Sequence, residues 1–261
     1  EEGSVEGQGV ETVGLELGVR VTQIKDGLRF EAVGVEELAE QPPAQGVDLC
    51  GIQVGVALEI AALPLLALAL RRVRWREAAA GPIAQVWPAS LAALVALWSI
   101  RGSVEPHFAF HLSGIAALTL ASGPWLALLG GAVVVAVTFA LGGASWANAG
   151  IAWLTGVALP AGVVLAVLAA ARRGAPPNFF VYAIVVAFFG GAASYLASGV
   201  AGAAILVGAL GVPAGLAFGD YLIYVGTLAF GEATLTGMLI SLAAVYRPAW
   251  VATFEPDRYF R

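Results

Sequence analysis

Residues 105–125 read EPHFAFHLSGIAALTLASGPW, and this stretch decides how the rest of the chain is interpreted. It carries both histidines of the sequence, His107 and His111, directly before a short apolar run. The sequence around it forms apolar blocks of about 18–25 residues, the length at which a helix crosses the hydrocarbon core of a bilayer. Polar groups beside such segments need a partner or a function, because an unpaired polar group in hydrocarbon is destabilising.

The composition predicts an all-α, polytopic membrane protein. Hydrophobic residues make up 59% of the chain and charged residues 12%, whereas soluble domains carry about 25% charged residues. The 33 glycines fit this class, since helices in lipid associate closely through small residues. Lys25 is the one lysine and no basic patch is present, which argues against nucleic acid as a partner.

The apolar blocks predict a bundle of about seven transmembrane helices. The predicted spans are residues 54–70, 83–100, 108–121, 125–141, 149–171, 178–198 and 220–245. Residues 200–218 are apolar but repeatedly interrupted by glycine and proline, so we predict a re-entrant or interfacial segment there.

The arginines predict how the protein is oriented in the membrane. Arg71–Arg76, Arg172–Arg173 and Arg247 follow the ends of predicted spans, and all lie on one side if residues 200–218 do not cross. Cytoplasmic loops collect Arg and Lys. We therefore expect the N-terminus outside and the C-terminus in the cytoplasm, with Arg101 as the exception in an outer loop.

Residues 1–53 differ from the remainder and are treated as an acidic N-terminal extension, followed by a transmembrane permease domain over residues 54–261. The segment from Val19 to Val35 predicts a short β-hairpin around Asp26–Gly27, a strong two-residue turn signal. A loosely ordered tail, or an extension foreign to the native protein, fits the composition equally well.

The two histidines form a candidate metal site. His107 and His111 are spaced i and i+4, which places both rings on one face if the segment is helical. Imidazole is a favoured ligand of Ni, Co, Cu and Zn, and Glu105 adds carboxylate oxygens. The predicted metal residues are therefore His111, His107 and Glu105. The alternative is an interfacial pair that is hydrogen-bonded to backbone or lipid headgroups.

Three further acids are secondary polar candidates, because a charge inside a membrane is costly and needs a partner. Glu232 lies near the middle of the last predicted span, Glu59 lies in the first span, and Asp220 stands where the last span begins. Glu232 could equally be a hydrogen-bonded structural acid, and the other two could be interfacial.

Several enzyme signatures are missing from the sequence. It contains no His-Glu-x-x-His motif, no Gly-x-Ser-x-Gly elbow and no Gly-x4-Gly-Lys-Ser/Thr phosphate loop. We therefore do not expect an enzyme. If transport is driven by nucleotide hydrolysis, another chain must supply the ATPase.

The run His111-Leu112-Ser113-Gly114, followed by Gly123-Pro124-Trp125, resembles the His-Leu-x-Gly…Gly-Pro-Trp region of CbiM/NikM-type proteins. These are the cobalt and nickel substrate-capture permeases of energy-coupling-factor (ECF) ABC transporters. The likeness covers about residues 54–261. The other runs that resemble a bacterial branch of this family are Asn178–Tyr182, Gly237-Met238, Arg247–Trp250 and Thr253-Phe254.

The resemblance implies a multi-pass subunit of the bacterial inner membrane that captures Co²⁺ or Ni²⁺ from outside. Its partners would be a transmembrane coupling subunit and ABC ATPases, and it would hold no permanent cofactor. His111 matches the family's ligand histidine. The family's Met-His start reads Glu1-Glu2-Gly3 here, and its Glu-Gly pair in the last span reads Thr236-Gly237. A different function that fits the same sequence is a non-transporting assembly subunit of a larger membrane complex.

Overall fold

The computed structural model describes residues 19–24, 27–32, 49–100, 102–105, 108–142, 146–210 and 214–259. Side-chain environments are described for residues 60–100, 111–142, 146, 148–208, 214–215, 217–219 and 221–259. The chain divides into two compact units, one holding strands and one holding helices.

Two short antiparallel sheets make up the strands. Strand β1 (Val19–Ile24) pairs with β2 (Gly27–Ala32), with Val19 opposite Ala32 and Ile24 opposite Gly27. This pairing occurs where the hairpin is predicted, but Gly27 lies in a strand rather than in the turn. Strand β3 (Gly102–Glu105) pairs with β4 (Phe108–Phe110).

The helical unit contains ten described α-helices, joined in places by wider or tighter turns. The helices are α1 (Leu49–Arg72), α2 (Trp75–Ala80), α3 (Ile83–Ser99), α4 (Ile115–Ser122), α5 (Pro124–Gly142), α6 (Ala149–Trp153), α7 (Leu159–Gly174), α8 (Gly190–Leu210), α9 (Tyr221–Tyr246) and α10 (Pro256–Tyr259). The π-helical segments Leu154–Ala158, Val181–Phe189 and Leu216–Asp220 join α6 to α7 and precede α8 and α9. The 3-10 turns are Trp146–Asn148 and Pro248–Trp250.

Four continuous helices in the described part of the chain are long and apolar enough to cross a membrane. They are Pro124–Gly142, Ala149–Gly174, Val181–Gly208 and Ala217–Tyr246. Helix α3 is apolar but has only 17 residues. The protein is therefore a multi-pass, helical membrane protein, while the predicted count of seven spans is not confirmed.

The predicted span over residues 108–121 is not a membrane-crossing helix. Residues 108–110 form β4, and α4 has only eight residues. Eight residues extend about 12 Å, less than half of the bilayer core. Glycines with left-handed backbone, Gly114 (φ 64°) and Gly123 (φ 81°), delimit this helix. A helix cannot continue through such a conformation, so the span is cut to half its predicted length.

Residues 200–210 do not form a separate re-entrant piece, because they continue α8. Among the glycines that predict a break, Gly202 instead packs this helix against α9, as does Gly199 just before that segment. A Cβ atom at Gly199 would collide with the side chain of Val225, and one at Gly202 would lie 3.1 Å from the hydroxyl of Tyr221. Small residues let two helices in lipid approach closely, which explains glycine here without any interruption.

Helix α4 lies at the centre of the helical unit. Ile115 and Leu118 belong to one buried cluster with residues of α1, α3, α5 and α6. Ala116 and Leu120 belong to a second buried cluster with residues of α7, α9 and the π-helical segment Val181–Phe189. Helix α4, which is too short to cross a membrane, therefore packs against longer helices on both sides.

The arginines that follow α1, α7 and α9 lie at one end of the bundle, called the arginine end below. The Nη2 of Arg172, at the end of α7, donates to the carbonyl of Thr253, just after α9 (2.8 Å). Gln85, near the start of α3, and Arg247, after α9, line one end of a groove on the bundle. The short helix α2 is the one helix between Arg72 and α3. This clustering is the charge asymmetry on which the predicted orientation depends.

Candidate metal-capture site

The His111–Gly114 segment connects β4 to α4 and has no regular secondary structure. It ends at Gly114, whose left-handed backbone (φ 64°) starts the helix. A Cβ atom at Gly114 would also collide with the side chain of Leu94 on α3. Only glycine meets both conditions without strain, so this residue fixes how the segment enters α4.

Glu232 on α9 binds the end of this segment that adjoins α4. Its side chain is 0% exposed. Its Oε1 accepts from the backbone N–H of Gly114 (2.9 Å), and its Oε2 accepts from the N–H groups of Ser113 (2.9 Å) and Gly114 (3.1 Å). These donors stand at the N-terminus of α4, where the helix dipole also favours a carboxylate. The buried acid is thus fully engaged by backbone.

Two aromatic side chains hold the carbonyls of the same segment. The indole Nε1 of Trp98 on α3 donates to the carbonyl of Ser113 (2.8 Å). The hydroxyl of Tyr195 on α8 donates to the carbonyl of His111 (2.9 Å). Together with Glu232, three long helices fix the backbone on both sides of the turn.

The imidazole of His111 is half-buried and lies against Trp98, with 4.6 Å between the ring centroids. Its Nδ1 is 3.1 Å from the carbonyl oxygen of Leu112. In the tautomer that donates this hydrogen bond, Nε2 carries the ring lone pair. Metal-ligating histidines commonly donate one ring N–H to such an acceptor, which orients the ring and raises the basicity of the other nitrogen.

The family comparison matches most of the chain. The family model CbiM, described as the cobalt uptake substrate-specific transmembrane region, matches residues 49–250. This range includes the His111–Gly114 segment and the helices that hold it. The chain belongs to the CbiM family. No curated protein and no solved structure matches it.

The helical condition under which His107 and His111 would share one face is not met at His111 in this CbiM-family protein. His111 follows a β-strand and precedes α4, so it lies in no helix. His107 lies outside the described residues, and Glu105 ends β3 with its side chain outside them. Among the side chains that the structure describes, no three His, Cys, Asp or Glu groups converge. The predicted set of His111, His107 and Glu105 stays a prediction.

The secondary acids occupy three different places. Glu59 lies in α1 and Asp220 ends the π-helical segment before α9, and both side chains fall outside the described environments. Glu232 directly contacts the turn that begins with His111, in the hydrogen-bonded arrangement named as its alternative.

The sequence reasoning missed Trp98 and Tyr195. Both are aromatic residues with a polar tip inside apolar helices, and such residues find a hydrogen-bond partner when buried. That property was readable from the sequence, but the partner was not, because Tyr195 and His111 are 84 positions apart.

The far end of α4 is held at the arginine end by a C-terminal clasp, defined as residues 251–254. The hydroxyl of Thr253 donates to the carbonyl of Leu120 (2.7 Å), and the N–H of Ala252 donates to the carbonyl of Ala121 (2.8 Å). The hydroxyl of Tyr182 is 2.7 Å from that of Thr253. Thr253 therefore satisfies a carbonyl in the last turn of α4, and Tyr182 contacts the Thr253 hydroxyl that does so.

Proposed function

We propose that this protein is the substrate-capture permease subunit of an ECF-type importer for a divalent transition-metal cation of the Co²⁺ or Ni²⁺ class. Membership of a cobalt uptake family supports a metal-transport role in the membrane. The observation that carries the proposal is the fixed position of His111 inside the matched region. A ligand whose backbone is already held loses little freedom when it binds a metal.

In this proposal the Nε2 of His111 is the first ligand. The hydrogen bond of its Nδ1 to Leu112 and its tilted contact with the ring of Trp98 orient the imidazole before the cation arrives. His107 and Glu105 complete the nitrogen and oxygen set, while Asp220 and Glu59 are secondary candidates. Imidazole favours borderline ions such as Ni²⁺ and Co²⁺ over Mg²⁺ or Ca²⁺, which prefer oxygen ligands alone.

Glu232 has a positioning role in this proposal rather than a ligating one. Both of its oxygens accept backbone hydrogen bonds, and its side chain is fully buried. A buried carboxylate that is satisfied in this way stabilises the turn that presents His111.

The energy for import would come from other chains. The sequence carries no phosphate-binding loop, so paired ATPases and a transmembrane coupling subunit are the partners that the proposal requires. The arginine end would face the cytoplasm, because positive charge collects there. His111 precedes α4, whose other end is at the arginine end, which is consistent with capture from the outer side.

Elemental analysis of the purified protein tests the proposal. We expect Co or Ni to co-purify with the wild type at close to one ion per chain after growth with the metal, and to be lost from His111→Ala. A wild type that carries no transition metal after such growth, or a variant that retains as much as the wild type, would contradict it. Retention by a Glu77→Ala control confirms that loss is specific, since Glu77 is exposed and distant in sequence.

A further inference from the structure

An apolar groove opens toward the membrane between α3 and α9, with α4 as its floor. Its volume is about 800 Å³. Ala89 and Ala93 line it from α3, Ala117 from α4, and Leu239 and Leu242 from α9. Leu239 and Leu242 are about half exposed, and both alanines on α3 are exposed, so the groove is open along its side.

The groove extends through one leaflet. On α3 its lining runs from Gln85 to Leu97, which is about 18 Å at the rise of an α-helix. Half of a bilayer core is about 15 Å thick. The deep end is lined by Leu97, Gly114 and Leu235, and the shallow end lies at the arginine end of the bundle. Helix α4 forms the floor along this length, and its small residues Ala117 and Ala121 leave the space between α3 and α9 open.

The shallow end is polar and positively charged. Arg247 lines it and is exposed, with its guanidinium carbon 5.8 Å from the centre of the Trp250 ring. Gln85 lines the same end from α3 and adds an amide. Tryptophan favours the headgroup level of a membrane, and basic pockets between helices bind anionic headgroups.

We propose that this groove is a binding site for one anionic phospholipid, whose acyl chain lies along α4 and whose phosphate group is bound by Arg247. The length and the apolar walls of the groove match an acyl chain, and the charge at its shallow end matches an anionic phosphate group. A partner transmembrane helix fits less well, since it needs about 20 residues and crosses both leaflets. The site does not depend on which cation the protein transports.

Gly114 belongs both to the groove and to the turn that presents His111, so a lipid in the groove contacts that turn. Gly114 lines the deep end of the groove, and its N–H is the group that Glu232 accepts from. An acyl chain in the groove therefore packs beside the turn that presents His111.

Native mass spectrometry of the detergent-purified full chain, mixed with equal amounts of phosphatidylglycerol and phosphatidylcholine of identical acyl chains, tests the headgroup. We expect the wild type to retain one phosphatidylglycerol in preference to phosphatidylcholine. Arg247→Gln should reduce this preference about fivefold, the effect of about one cationic side chain near an anionic headgroup. Arg173→Gln is the control, because Arg173 is exposed in the last turn of α7, also at the arginine end, but does not line the groove.

A second pair of variants tests the place of the acyl chain. Ala93→Phe fills the groove and should lower retention of both lipids, whereas Ala92→Phe adds the same bulk at an exposed α3 position outside the lining. Melting temperatures in detergent confirm that each variant is folded. Equal retention of the two lipids by the wild type overturns the proposal. Identical lipid retention by Arg247→Gln and Arg173→Gln, or by Ala93→Phe and Ala92→Phe, also overturns it. Occupancy of the groove by a protein helix would give such a result.

Discussion

The carboxylate of Glu232 binds the backbone N–H of Gly114, a residue 118 positions earlier in the chain. This contact joins the middle of α9 to the residue that directly precedes α4. Because α4 is also held at its other end by Thr253, the helix is fixed between two hydrogen-bonded anchors. The turn that carries His111 is one of them, so the geometry of the candidate site depends on packing deep in the bundle.

Replacing Glu232 by alanine should destabilise the protein by about 3 kcal/mol or more, since it leaves two buried N–H groups without an acceptor and opens a cavity. Thermal unfolding in detergent measures this. Glu77→Ala removes an exposed acid and should stay within about 0.5 kcal/mol of the wild type. Equal melting temperatures for the two variants would show that Glu232 does not anchor the turn.

Gly114→Ala should be destabilising by about 1–2 kcal/mol from its left-handed backbone alone, with a further cost from the collision with Leu94. The matched control is Gly162→Ala in α7, where an added Cβ meets nothing within 4 Å and should be neutral or slightly stabilising. The comparison is made by thermal unfolding. A Gly114→Ala protein as stable as the control would mean that the turn can relax.

Tyr195→Phe should weaken Ni²⁺ or Co²⁺ binding about tenfold, the lower range for groups that orient a metal ligand, because it removes the donor to the carbonyl of His111. Isothermal titration calorimetry gives the dissociation constant. Tyr246→Phe makes the same chemical change on an exposed residue and should leave the affinity unchanged. If both variants bind as the wild type does, the hydroxyl of Tyr195 has no part in positioning the ligand.

His111→Ala should abolish Ni²⁺ and Co²⁺ binding, and His107→Ala should weaken it. In the wild type, affinity should fall as the pH drops below about 6, because a proton then competes with the cation for the imidazole lone pair. Calorimetric titrations over a pH series provide both measurements. Unchanged affinity in the two histidine variants, or an affinity that is independent of pH through this range, contradicts imidazole ligation.

Thr253→Val should cost about 1–3 kcal/mol, since it leaves the carbonyl of Leu120 and the hydroxyl of Tyr182 without this partner. Thr234→Val is isosteric in the same way, but it removes only a hydroxyl on an exposed face of α9 that bonds within its own helix. Thermal unfolding should therefore separate the two variants. Similar losses in both would mean that the C-terminal clasp does not contribute to stability.

Sequence patterns located the long helices well, but they failed wherever glycine had to be interpreted. Hydropathy placed α5, the helix Ala149–Gly174 and the last helix within a few residues of their observed bounds. At Gly202 the pattern predicted a break, yet the helix continues because the glycine packs against Tyr221. At Gly114 the pattern predicted a continuing helix, yet the backbone turns. Glycine serves both close packing between helices and left-handed turns of the backbone. Only the residues that surround it in the fold decide which of the two applies.

The candidate site was also predicted only in part, because the contacts between its residues depend on neighbours in space. His111 and Glu232 were both named from the sequence, as a rare polar group and as an acid within an apolar helix. Their relation was not, because Glu232 and Gly114, through which it holds the turn, are 118 positions apart in the chain. Trp98 and Tyr195, whose polar atoms hold the same turn, differ in no local pattern from other aromatic residues of the bundle.

The sequence by itself determined that this chain is a helical membrane protein with its arginines at helix ends, because hydropathy and charge act residue by residue along the chain. The tertiary structure alone decided where the polypeptide leaves the helix at His111–Gly114, how α8 stays continuous and which groups hold the turn. Those outcomes depend on hydrogen bonds and close contacts between residues about a hundred positions apart, such as Glu232 with Gly114. No local pattern encodes such pairs.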